Sequence, residues 1–130
     1  MKIFIWLLRI IAAGIMLQTL FFKFTGSPES IYIFETIGME PFGRYLSGVA
    51  ELISSVLLLI PRTTWLGAII GFGVMLGAIA SHLTVLGVEV LGDGGTLFVM
   101  AIVVFLSCAI LLFLHKEDIP IIGNRFSKAD

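Results

Sequence analysis

Four apolar blocks decide what this chain can fold into. They cover residues 3–22, 45–60, 65–86 and 96–114. A membrane-spanning helix takes about 20 mostly apolar residues, and the blocks leave too little chain for a water-soluble domain. Backbone polar groups inside a bilayer must bond to one another, so each block is expected to be a helix. The composition agrees: 58% of the residues are hydrophobic and 13% charged, where a soluble domain carries about 25% charged residues. A net charge of −1 offers no electrostatic footprint for a nucleic-acid partner. Cys108 is the only cysteine, so no intrachain disulfide and no metal-ligand spacing is available. The expectation is an all-α, four-transmembrane-helix antiparallel bundle, with residues 1–130 as one integral membrane domain.

The first block has Lys2 as a weak charged leader, but Arg9 interrupts its apolar core and no A-x-A-like site follows. It is therefore expected as a retained span rather than a cleaved signal. Basic residues then set the orientation. Lys2, Arg62, Lys116, Arg125 and Lys128 fall on one side, with Arg9 expected to snorkel there; Lys23 and Arg44 fall on the other. That bias is expected to place both termini in the cytoplasm, and a bacterial cytoplasmic membrane is the expected location. Glu29, Glu35, Glu40, Glu89 and Asp93 make the outer face acidic.

The connections carry their own signals. The link at 61–64 is a tight turn, which makes the second and third spans antiparallel neighbours. In "GSPES" Ser27 is a candidate N-cap and Pro28 a first helical residue. Ile31, Phe34 and Ile37 recur on one side, and Gly38 can end the helix. A short interfacial helix over about 28–38 is expected, lying between the first two spans. Pro41 again stands near a helix start, and "GVEVLGDGG" is a glycine-rich outer loop. The third span carries Gly67, Gly71, Gly73 and Gly77, spacings that let helix backbones approach closely. Packing within the bundle is one use of that stripe, and packing between copies in a homo-oligomer is the other.

The second span poses the functional question, because "SGVAELISSVLLLIP" places Glu51 inside an apolar run. Ser47, Gly48, Glu51, Ser54 and Ser55 fall at helical spacings and form one small, polar stripe. Val49, Leu52, Ile53 and Val56 lie opposite, so Glu51 is expected to face the bundle. Arg44 is one heptad earlier, about 10 Å along the axis, too far for an easy direct contact. Gln18 and Lys23 on the first span and His82 on the third fall at a similar depth. A charge at mid-membrane costs about 2.5–3.5 kcal/mol on insertion scales and usually faces an interior or a cavity. The five residues Gln18, Lys23, Arg44, Glu51 and His82 are expected to share a polar pocket in the outer half, with Glu51 either ionised beside a base or protonated. Each has a plainer use: Lys23 and Arg44 as interfacial anchors, His82 as a packing residue, and the whole set as a network fixing helix register. Phe21, Phe22 and Phe24 read as an aromatic belt or as a wall for an apolar ligand. In the inner half only Ser107 and Cys108 stand out.

These segments, "FFKFTGSPES", "GMEPFGR", "GVAELISSVLLLIP" and "GAIASHLTVLG", together resemble the DoxX family of small four-helix membrane proteins. The resemblance runs from the first span to about His115. Its marks are Phe22 with Lys23, Gly48 with Glu51 before the run to Pro61, and the small-residue third span with His82. It implies relatives among subunits of a thiosulfate:quinone oxidoreductase, among membrane redox and oxidative-stress complexes, and, distantly, among receptor-assembly chaperones. It also implies a likeness to the vitamin K epoxide reductase bundle, whose paired cysteines are missing here, which excludes dithiol chemistry by this chain alone. The sequence holds no haem motif, no glycine-rich dinucleotide loop and no His/Cys metal array. Two readings follow. In one, the chain is a redox-linked subunit whose pocket takes a quinone, held without a covalent bond, and electrons arrive through a partner protein. In the other, it is a non-enzymatic chaperone, scaffold or lipid-binding bundle.

Overall fold

The computed structural model describes residues 2–40, 42–89, 92 and 94–116. Asp93, Arg125, Lys128 and Pro41, all read above, lie outside the described residues. The described elements are helical throughout: α1 (Lys2–Thr25), α2 (Pro28–Thr36), α3 (Phe42–Leu59), α4 (Thr64–Ser81) and α5 (Thr96–Leu114). Four of them, α1, α3, α4 with its flanking turns, and α5, are long and apolar enough to cross a membrane. They pack as a ring in which α1 touches α3, α3 touches α4, α4 touches α5, and α5 returns to α1. The all-α four-helix bundle expected from the hydropathy blocks is the fold observed.

Several boundaries differ from the apolar blocks, and each difference has a local cause. α1 runs to Thr25 instead of stopping at residue 22, because the charge of Lys23 is paired and need not leave the helix. α3 starts at Phe42 instead of 45, because Arg44 is bonded to Glu40 one turn earlier. A 3-10 turn, Pro61–Thr63, joins α3 to α4, the tight connection that the short link required. At the far end of α4 the chain continues as a π-helical turn, His82–Leu86.

The short helix also forms from its caps. Ser27 accepts a hydrogen bond from the Ser30 backbone N–H at 3.3 Å, and Pro28 begins α2. Gly38, at φ 78°, takes the left-handed position that closes the helix: its N–H bonds Glu35 O, and the Met39 N–H bonds Phe34 O at 2.7 Å. This is the Schellman arrangement. The inward stripe of α2 is Ser30, Ile33, Phe34 and Ile37, with Ile33 standing where the sequence pattern suggested Ile31.

Two buried arginines tie the antiparallel pair α1 and α3 together at opposite ends. Arg44 donates from Nη1 to Lys23 O, in the last turn of α1. Arg9 donates from Nε to Leu58 O at 2.6 Å, in the last turn of α3. Each cation therefore sits on carbonyls that have no partner within their own helix, at the negative end of that helix's dipole. Arg9 is 3% exposed and stacks 3.6 Å from the Trp6 ring, so it turns into the bundle instead of snorkelling. The half with no expected polar feature beyond Ser107 and Cys108 thus carries a buried arginine, and Thr64 beside it donates to Ile60 O at 3.1 Å.

The small residues of α4 divide into two groups. A Cβ on Gly67 would lie 2.6 Å from Leu58 N and 2.8 Å from Ser54 O, so α3 and α4 touch backbone to backbone there. Ser54 Oγ reinforces the contact by donating to Gly67 O at 2.7 Å. Gly71 faces Cys108 and Ser54 almost as closely. A Cβ on Gly73 or Gly77 would meet nothing within 4 Å among the described residues. The bundle is closed at the Arg9 end and hollow toward the Arg44 end.

Candidate functional site

The hollow is a cavity of about 950 Å³. Its walls come from α1 (Ile15, Phe22), α4 (Val74, Ala78) and α5 (Leu97, Met100), and α2 roofs it with Ile33 and Phe34. The polar side chains that line it include Gln18, Thr19 and Lys23 from α1, Ser47 and Glu51 from α3, Ser81 from the end of α4 and His82 from the π-helical turn.

Glu51 is the most enclosed of these, at 1% exposure. Its place follows from the small residues around it on α3, since Ser47, Gly48, Ser54 and Ser55 leave room for a neighbouring helix. Lys23 Nζ lies 2.6 Å from Glu51 Oε1 and 2.8 Å from Ser47 Oγ. Thr19 Oγ1 stands 3.0 Å from Glu51 Oε2 and also 3.0 Å from Met16 O. A hydroxyl has one proton, so Thr19 shares it between the carboxylate and its own helix. The ion pair is therefore made between spans, with a charge-assisted hydrogen bond on each carboxylate oxygen. An ammonium has three protons, and two are engaged by Glu51 and Ser47; the Phe34 ring centroid is 5.8 Å from Lys23 Nζ.

His82 is held by its own turn. Its Nδ1 is 2.9 Å from Gly87 O, while the Gly87 N–H donates to His82 O at 2.7 Å. Gly87 adopts φ 81°, a backbone geometry open to glycine, and this lets both bonds close at once. Phe98 meets the ring edge-on with centroids 5.4 Å apart. One π-helical turn thus fixes the imidazole at the cavity wall, a use that such turns often have.

The remaining sequence candidates take other places. Arg44 lies outside the cavity lining: Glu40 holds it through Nε and Nη2 at 2.9–3.0 Å, and the Tyr45 ring is 4.4 Å away. Gln18 lines the cavity but is exposed and makes no hydrogen bond among the described residues. The residue beside it, Thr19, reaches the carboxylate instead. It stands one helical turn before Lys23, and that i, i+4 spacing is the signal that would have found it. Of the three aromatic residues, Phe22 lines the cavity. Phe24 packs on Gly48, where a Cβ would lie 2.8 Å from its ring, and Phe21 is exposed.

A family model described as DoxX matches residues 4–87. The matched stretch begins in α1 and ends at the glycine that clamps His82, so Lys23, Glu51 and His82 all fall within it. No curated protein and no solved structure matches the chain.

Proposed function

The chain belongs to the DoxX family and is an integral membrane protein, and from that premise we propose that its cavity receives a small apolar molecule with a polar head. The observation that carries this reading is the Lys23–Glu51 pair. It is buried, matched in charge, and set at the wall of a space lined mainly by hydrocarbon. A pair needed only for helix register would be expected against packed side chains; this one borders a space large enough for an aromatic ring and part of a tail. Sites for small molecules are commonly of this kind, apolar with a few convergent polar groups.

A quinone-type ring fits the donor set, because Lys23 can donate its remaining proton to a ring oxygen and His82 can exchange a proton with it. Such a molecule would supply redox chemistry, with electrons delivered by a partner protein. The chain's own residues would bind and orient the ring and hold protons at the carboxyl of Glu51 and the imidazole of His82. The head would sit at the extracytoplasmic side, with both termini in the cytoplasm.

The test is extraction of the protein directly into lipid nanodiscs, followed by mass spectrometry of what copurifies. A stoichiometric apolar molecule that falls several-fold in Glu51→Gln and in Lys23→Met supports the reading. Loss of a stoichiometric protein partner in Glu51→Gln, with small-molecule content unchanged, would favour the scaffold or chaperone function instead.

A further inference from the structure

The proposed reading leaves open which kind of head the ligand carries, and the geometry at His82 speaks to that. Gly87 O can only accept a hydrogen bond. Nδ1, at 2.9 Å from it, therefore carries the proton in the neutral ring, and Nε2 is left with a lone pair. His82 is 5% exposed, it lines the cavity, and Nε2 has no hydrogen-bond partner among the described residues. Because the clamp to Gly87 runs in both directions and Phe98 abuts the ring edge, the imidazole cannot turn over to offer a donor without breaking its turn.

We propose that His82 Nε2 is a fixed hydrogen-bond acceptor for the ligand, so that the cavity selects a molecule whose polar head is a hydroxyl, phenol-like on an apolar body. The inference rests on the cavity being a ligand site. Lys23 complements the acceptor: its Nζ has a proton beyond those engaged by Glu51 and Ser47, and that proton can meet the oxygen of the same head or of a second one. For a ring that exists in dione and diol forms, the diol is the form that His82 accepts from. His82 is thus a specificity-determining residue, and Gly87 is the residue that positions it.

Two probes separate the claims: 4-decylphenol and its methyl ether, which is close in shape but has no proton to give. Equilibrium dialysis between protein-loaded and empty phosphatidylcholine nanodiscs removes the contribution of lipid partitioning. The full chain should retain the phenol about tenfold better than the ether, the fold-change for one net hydrogen bond near 1.4 kcal/mol. His82→Asn keeps an amide N–H near the Nδ1 position, so the clamp to Gly87 survives while the acceptor at Nε2 is gone. In that variant the preference should fall to about one, with ether retention unchanged. Equal retention of both probes by the unaltered protein, or a preference that survives His82→Asn, would overturn the role of His82 and leave the cavity reading standing. Retention of neither probe above empty nanodiscs would overturn both.

Discussion

Replacing Lys23 by Met tests whether the buried pair behaves as the geometry requires. Methionine keeps most of the stem and removes the charge. Glu51 would then keep only the hydrogen bond of Thr19, itself shared with Met16 O. Breaking a buried ion pair by deleting one partner costs about 3–5 kcal/mol. The carboxyl has an escape, since it can take a proton; for an ordinary glutamate at pH 7 that costs about 3.7 kcal/mol, from about 2.7 units at 1.36 kcal/mol each. The expected loss is therefore about 3–4 kcal/mol. Glu51→Gln should cost less, about 2 kcal/mol, because the Lys23 side chain is 15% exposed and can turn toward the surface. The double variant buries no unpaired charge and should cost about as much as Glu51→Gln alone. The coupling energy, the double loss minus the two single losses, then has a magnitude of about 3–4 kcal/mol. Reversible unfolding in mixed micelles, followed by circular dichroism for the four proteins, measures it. A coupling below about 0.5 kcal/mol would mean that the two charges are solvated separately, and the reasoning from burial would fail.

Other expectations concern packing, capping and topology. Gly67→Ala should destabilise by about 1–3 kcal/mol, as overpacking does, since its Cβ would meet the α3 backbone at 2.6 Å; Gly77→Leu should unfold like the unaltered chain in the same micelle assay while lowering retention of 4-decylphenol, because its side chain enters open space in the cavity wall. Arg44→Met should lower the unfolding midpoint more than Arg9→Met. Arg44 leaves a carboxylate behind at Glu40, whereas Arg9 leaves only a carbonyl and takes with it Nη2, a buried donor without a partner among the described residues. Cysteines placed at Glu29 and at Arg62 should react with an impermeant maleimide from opposite faces of intact cells, Glu29→Cys from outside. Cys108 is buried and should remain unlabelled.

How much of this was legible depended on whether the determinant was local. The four spans were readable because hydropathy is additive along the chain and lipid admits few backbone solutions. The α2 caps were readable because Ser27, Pro28 and Gly38 act within a few residues of themselves. Glu51 could be marked as inward-facing from its stripe, but its partner could not be chosen. Lys23 and His82 stay open as partners, with Arg44 a stretch at one heptad, and only the ring order of the helices puts Lys23 within 2.6 Å while turning Arg44 back onto Glu40. Arg9 was misread for the same reason. Snorkelling is the default for an arginine near a span's end, and the alternative depended on the terminal carbonyls of α3 lying beside it. The π-helical turn at His82 was hidden as well, since Gly87 reads equally as the end of an ordinary helix.

The two ends of the bundle do different work, and the same helix pair shows why. At the Arg9 end Gly67 and Gly71 draw α4 against α3 and α5, Thr64 and Leu58 are fully buried, and Arg9 caps α3. That half is tightly packed because its backbones touch at Gly67 and Ser54 bonds across the contact. At the Arg44 end a Cβ on Gly73 or Gly77 of α4 would meet nothing within 4 Å among the described residues, α2 forms the roof, and Arg44 caps α1 from outside the cavity. A hollow in a bilayer interior forfeits packing contacts on every wall, so it persists only if something else holds the helices in place. The two arginine caps and the Lys23–Glu51 pair do so without filling the space, since each acts at its edge or wall. Stability therefore resides at the closed end and at the rim, so under the proposed function a guest has to offer only what His82 Nε2 and the remaining Lys23 proton can bond. The corollary is directional: substitutions that add volume at Gly67 should damage folding before binding, and those that add volume at Gly77 should damage binding before folding.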